Sequence, residues 1–154
     1  MQRMSKTMSA WIVVAFACLL ARGCGGHHLE RDFFNQPLAN RVQRLRRYGL
    51  ADQYKIFRYG MDMKEPPFMD LADPIAERGG TAVPFLLDQL NSQPDDITLR
   101  DTLLIFETMA NSKSYDVESD AALMTTLASR VSMMKDPAWQ GTCLKNLQRI
   151  RDSR

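Results

Sequence analysis

The stretch from Gly79 to Ala110, GGTAVPFLLDQLNSQPDDITLRDTLLIFETMA, most constrains what this polypeptide can fold into. It holds two apolar helical patterns separated by the polar break NSQPDD. In the first, Val83, Leu86, Leu87 and Leu90 recur at i, i+3, i+4 and i+7, the spacing that lays side chains on one helix face. Thr81 is the expected N-cap there, and Pro84 falls in the first turn, where a missing N–H costs little. In the second pattern Asp95 is the expected cap and Asp96 places negative charge at the helix N-terminus. Ile97, Leu103, Leu104, Phe106 and Met109 supply its buried face. A helical hairpin of this kind cannot bury its stripe alone, so it requires neighbours.

The flanking sequence provides them. Asn35–Tyr48 reads as a first helix, with Asn35 as cap, Pro37 in the first turn, Gly49 as stop and an apolar stripe of Leu38, Val42 and Leu45. A second helix is expected over Ala51–Tyr59, ended by Gly60. Phe68–Arg78 is helical by its apolar spacing but contains Pro74. Either the helix is kinked there, or Asp73 caps a separate turn; the kink is favoured because one turn alone packs poorly. Gly79 and Gly80 then end it. After the hairpin, Asp120–Met134 carries Leu123, Met124, Leu127 and Val131 inward. Asp136 and Pro137 open a last helix on which Trp139, Cys143, Leu144, Leu147 and Ile150 share a face. No segment shows period-two alternation, so the expected class is all-α, with about six to seven helices.

The final helix pair repeats the first feature at an offset of 41 residues, the step from Asp95 to Asp136. Val83, Leu86, Leu90, Leu103, Phe106 and Met109 map onto Met124, Leu127, Val131, Leu144, Leu147 and Ile150, apolar onto apolar throughout. A period near 40 residues with two helices per unit is the mark of HEAT and armadillo repeats. The stretch IAERGGTAVPFLLDQL, followed by Asp96 in a polar turn and Arg100 four residues later, resembles a HEAT repeat. The resemblance is good over Ile75–Ala110, degenerate over the last pair, where Gln140 or Gly141 stands near the expected basic residue, and absent before Asp70. It implies a short α-α superhelix in which Asp95, Asp96, Arg100 and Asp136 are structural, Asp96 and Arg100 bonding turn amides and neighbouring repeats. A generic helical bundle is the alternative.

The N-terminal region carries an address. Arg3 and Lys6 form a positive region, and Ala10–Ala21 is an unbroken apolar run of 12 residues, short of the roughly 20 needed to span a bilayer. It runs into LLARGCGG, which resembles the lipobox of bacterial lipoproteins, with Arg22 departing from the usual small residue. The resemblance implies cleavage after Gly23 and lipidation of Cys24. Simple secretion and an uncleaved anchor are the alternatives. The expected organisation is a leader over 1–23, the lipidated Cys24 and a flexible tether over 24–34, and a helical domain over 35–154. The Gly25 that follows is similar to outer-membrane-sorted lipoproteins facing the periplasm. The leader carries three of the 20 basic residues and none of the 18 acidic ones, so the mature chain is nearly neutral and net charge gives no nucleic-acid partner. Cys143 is then a lone thiol, expected to be buried.

Residues for catalysis are sparse. The two histidines, His27 and His28, fall in the expected tether, which cannot hold a base in place. Two adjacent imidazoles without a Cys or carboxylate cluster are no closed metal site, and no metal or other cofactor is expected. Asp70, Asp73 and Glu77 read as a solvated face near a helix start, Met61 and Met63 as gap-filling core residues. GlyGly at 79 and 80 lacks the spacing of a phosphate loop.

The strongest surface signal is basic. Arg41, Arg44 and Arg47 lie at i, i+3 and i+6, with Arg46 and Arg58 close by, within 25 residues of the lipid attachment. They are candidate membrane- or partner-contacting residues, the membrane reading resting on anionic head groups; a plain solvated face is the alternative. The leading functional expectation is a monomeric, lipid-anchored, non-enzymatic adaptor that binds an unidentified protein through its helical surface. The competing expectation is a periplasmic immunity protein that neutralises a delivered toxin.

Overall fold

The computed structural model describes residues 28–62 and 65–153. The expected leader, the lipidation at Cys24, His27 and Met63 lie outside the described residues. Among the described residues the fold is all-α, without strands. Eight α-helices follow in order: α1 His28–Phe34, α2 Arg41–Leu45, α3 Leu50–Asp62, α4 Asp73–Ala76, α5 Val83–Ser92, α6 Asp96–Ser112, α7 Ala121–Ser132 and α8 Pro137–Arg151. Short 3-10 segments at Met69–Ala72 and Gly79–Ala82 lead into α4 and α5.

The centre of the domain is α6. It packs against α4, α5, α7 and α8, the last most extensively. Leu99, Leu103, Ile105, Phe106 and Met109 are buried on it, and so are Thr98, Asp101, Thr102 and Glu107. A helix covered on more than one side has no free polar face, so its polar residues must find partners inside. Tyr54 Oη lies 3.3 Å from Thr102 Oγ1 and Arg149 Nη1 lies 3.3 Å from Glu107 Oε1.

The long helices α6, α7 and α8 start on aspartate caps, as expected at Asp95 and Asp136. The Asp95 side chain accepts from Thr98 N, Asp120 from Leu123 N, and Asp136 from Ala138 N and Trp139 N, each relieving amides that a helix start leaves open. Pro84 and Pro137 sit in first turns. Thr81 does not cap α5: its hydroxyl donates 2.7 Å back to the Arg78 carbonyl, and the 3-10 segment runs straight into the helix.

The first third of the domain differs most from expectation. The expected tether is helical from His28, and Phe33 on it is fully buried, edge-on to Phe34 and Tyr48. The expected helix from Asn35 begins only at Arg41, because Asn40 takes a left-handed conformation and the preceding residues form a turn. Gly60 does not end α3 but lies within it; a Cβ there would come within 3.0 Å of the Leu71 and Phe34 side chains, so the residue serves close packing. Around Pro74 there is no kinked helix. A 3-10 turn hands over to the one-turn α4, with Pro74 at its start, where the missing N–H is harmless. Gly79, at φ +55°, opens the next turn under the Ser114 carbonyl oxygen, which any Cβ would strike.

The two hairpins at offset 41 share most of their burial. Leu86, Leu90, Phe106 and Met109 are buried, and so are Leu127, Val131, Leu147 and Ile150. Two pairs differ: Met124 is only partly buried where Val83 is buried, and Leu144 is 55% exposed although its counterpart Leu103 is fully buried. Ile97 and Trp139, expected inward, are also exposed.

Candidate binding site

A cavity of about 520 Å³ opens between α1, α3 and α5. Arg31 comes from α1, Tyr54, Lys55, Arg58 and Tyr59 from α3, and Gln89 from α5, with Gln93 just beyond it. The i, i+1, i+4, i+5 spacing on α3 places both tyrosines and both cations on one helical side. Tyr54 is nearly buried, while Arg31, Lys55, Asp62 and Gln93 are exposed and leave the cavity open to solvent.

Arg58 links the cavity to the buried interior. Its Nη1 donates 2.7 Å to Thr98 Oγ1 and 3.4 Å to Tyr54 Oη, and its Nε lies 2.9 Å from Asp101 Oδ2. Asp101 has no exposed surface and is flanked on its other side by Arg100, whose Nη2 lies 2.6 Å from Oδ1. Burial pushes the Asp101 carboxyl up to about 6, against the pull of Arg100 and Arg58. Arg100 also stacks 4.6 Å over the Trp139 ring and lies 3.8 Å from Asp62. This Arg–Asp–Arg arrangement joins α3, α6 and α8.

The sequence-predicted residues are distributed unevenly. Asp96 Oδ2 accepts the backbone N–H groups of Lys135 and Asp136, at 2.9 and 2.8 Å, so it bonds the turn amides of the following hairpin. Asp95 and Asp136 cap their own helices. The three arginines of the basic stripe are engaged differently. Arg41 Nη2 pairs with Asp70 Oδ2 at 2.7 Å and its guanidinium stacks 4.7 Å from the Phe68 ring centre. Arg44 donates to the Pro37, Ala39 and Phe33 carbonyls, at 2.6, 3.3 and 3.2 Å, and sits over the Phe33 ring. Arg47 lies past the end of α2 and is exposed. Both Arg41 and Arg44 therefore serve the fold directly, and a continuous cationic stripe does not form.

Two of the three acids are similarly engaged: Asp70 holds Arg41, and Glu77 holds Arg46 through both oxygens. Among the described residues no cluster has the make-up of a metal site. Cys143 is a buried free thiol, and burial pushes it up to about 11, which keeps it protonated and unreactive. Sequence spacing singles out neither Asp101 nor the burial of Arg58. The available signal is a charged residue three positions after Thr98 and four before Ile105, on a helix apolar over most of its circumference.

No helix among the described residues is long and apolar enough to cross a membrane. No family model, curated protein or solved structure matches the sequence.

Proposed function

We propose that the protein is lipid-anchored in the cell envelope and works without catalysis, as an adaptor binding another protein through the surface of HEAT-like hairpins. The observation that carries this reading is the solvent-open cavity where the first hairpin, through Gln89 and Gln93, meets α1 and α3, walled by Tyr54, Arg58 and Tyr59. Tyrosine and arginine dominate binding hot spots: tyrosine gives large contact area at low conformational-entropy cost, and arginine gives directional charged donors.

Two further observations support the parts. Asp96 ties the turn of one hairpin to the turn of the next, the kind of contact by which stacked repeats hold their register. The LLARGCGG stretch supports the lipid anchor.

Affinity purification of the full-length protein from its native envelope tests the proposal, alongside palmitate labelling of wild type and Cys24→Ser. A stoichiometric envelope protein together with label that depends on Cys24 is expected. A stoichiometric toxin would replace the adaptor with the immunity reading. Absence of any stoichiometric partner would sink the binding role, and label unaffected by Cys24→Ser would sink the anchor.

A further inference from the structure

The groups left unspent around the cavity are donors. Arg58 commits Nη1 to Thr98 and Tyr54 and turns Nε to Asp101, while among the described residues nothing accepts from Nη2. The side-chain amides of Gln89 and Gln93 make no hydrogen bond among the described residues either. Lys55 Nζ approaches Asp52 only at 4.0 Å, on the surface. The acids of the lining are occupied otherwise: Glu30 is buried and has its own interaction, and Asp62 lies toward Arg100. Nη1 is held by Thr98 and Tyr54, while Nε, buried 2.9 Å from Asp101 Oδ2, makes no hydrogen bond, so the guanidinium is positioned with donor capacity to spare.

The geometry points to an anchor pocket for a carboxylate carried on a peptide segment of the protein partner. This rests on the protein-binding reading above and adds the chemistry recognised. The lining carries Arg31, Lys55 and Arg58 against Glu30 and Asp62, an excess of one formal positive charge. A singly charged carboxylate matches that excess. Arg58 Nη2 and the Gln89 and Gln93 amides would donate to the carboxylate, Lys55 would add charge at the mouth, and the Tyr54 and Tyr59 rings would flank the stem that bears it. An acidic side chain and a free peptide C-terminus offer the same group.

The test is NMR titration of the full-length protein in detergent with three probes: acetyl-Tyr-Glu-Tyr-amide, acetyl-Tyr-Gln-Tyr with a free C-terminus, and acetyl-Tyr-Gln-Tyr-amide. Saturable shifts are expected at the Arg58 Nε and the Gln89 and Gln93 side-chain amides, with at least tenfold tighter binding for a carboxylate probe than for the neutral one. Whichever carboxylate probe binds more tightly assigns the source. Because Arg58 also supports the interior, the variant is the exposed Lys55→Glu, which should weaken the carboxylate probe at least tenfold and leave the thermal melt unchanged. Equal binding of the neutral probe, or no effect of Lys55→Glu, overturns carboxylate recognition while protein binding stands. Shifts at other residues only, or none, overturn the cavity as the anchor point; co-purification judges the binding role independently.

Discussion

The Asp96 carboxylate, in the first turn of α6, accepts the backbone N–H of Asp136 at 2.8 Å, and Asp136 in turn caps α8. The residue beside it, Asp95, spends its carboxylate inside its own helix, on Thr98 N at 2.8 Å and Thr98 Oγ1 at 2.7 Å. Two adjacent aspartates thus divide two tasks: one caps its own helix, the other sets the distance to the next hairpin.

Asp96→Ala removes acceptors from two backbone amides of the next turn at once. Each such bond is worth about 1 kcal/mol, and water can re-solvate the exposed amides in part, so a loss of roughly 1–2 kcal/mol is expected. In a domain of this size that lowers Tm by roughly 3–8 °C. Asp96→Asn keeps the accepting oxygen and should lose less. A thermal melt of Asp96→Ala indistinguishable from wild type would show that the contact holds nothing.

Arg44 and Arg47 should separate cleanly. Arg44→Gln gives up three carbonyl contacts that close the turn between α1 and α2, together with its place over Phe33. Hydrogen bonds from a charged donor are worth about 1.5–3 kcal/mol, and a loss of that order is expected in urea denaturation. Arg47→Gln, at an exposed site beyond the helix, should fall within about 0.5 kcal/mol of wild type. If the two variants denature alike, Arg44 is not the clasp of that turn.

The contrast between these arginines shows what is legible in the sequence. Helix caps are legible because they are local: Asp95, Asp120 and Asp136 need only their own next turn. The all-α class follows from spacing for the same reason. What is not legible needs knowledge of neighbours. Leu144 matches Leu103 in apolarity, yet Leu103 sits on the central helix, packed on several sides, and Leu144 on an outer one. Nearness to Cys24 makes Phe33 read as tether, although Leu29 and Phe33 are four apart and can share a helix face. At the candidate site Arg58 groups by sequence with surface arginines and Asp101 draws no notice, since a charged residue reads as solvated until the helices that bury it are placed. Only the pairing across 43 positions between Arg58 and Asp101 reveals the cavity wall.

Cys143 should be inert in the folded protein. It is fully buried, and burial holds the thiol protonated, up to about 11. Alkylation by iodoacetamide at pH 8, followed peptide by peptide, is expected to leave Cys143 unmodified under native conditions and to label it once urea unfolds the protein. Labelling in the native state as fast as in urea would place the thiol at the surface and remove the packing account of α8.

The buried Asp101 gives the last expectation, on pH. Burial raises its carboxyl from 3.8 to about 6, with Arg100 and Arg58 pulling the other way. Between those values the folded state binds a proton that the unfolded state does not. By linkage, the contribution of this group favours the fold as pH falls through that window, weakens it as pH rises, and is constant above about 6. The displacement corresponds to roughly 3 kcal/mol across the whole window. Asp95, Glu77 and Asp120 act in the opposite sense. Their carboxyls are held below the usual range, Asp95 by its Thr98 bonds against partial burial, Glu77 by Arg46 and Asp120 by the Leu123 amide. Their stabilisation is present above the unfolded carboxylate range and lost as pH falls through the folded values. Carbon-13 carboxyl shifts should therefore show Asp101 titrating near 6 while those three titrate below the ordinary carboxylate range. An Asp101 midpoint below about 4 would mean that the two arginines outweigh desolvation, and the buried arrangement would then stabilise the fold across the neutral range instead of costing it.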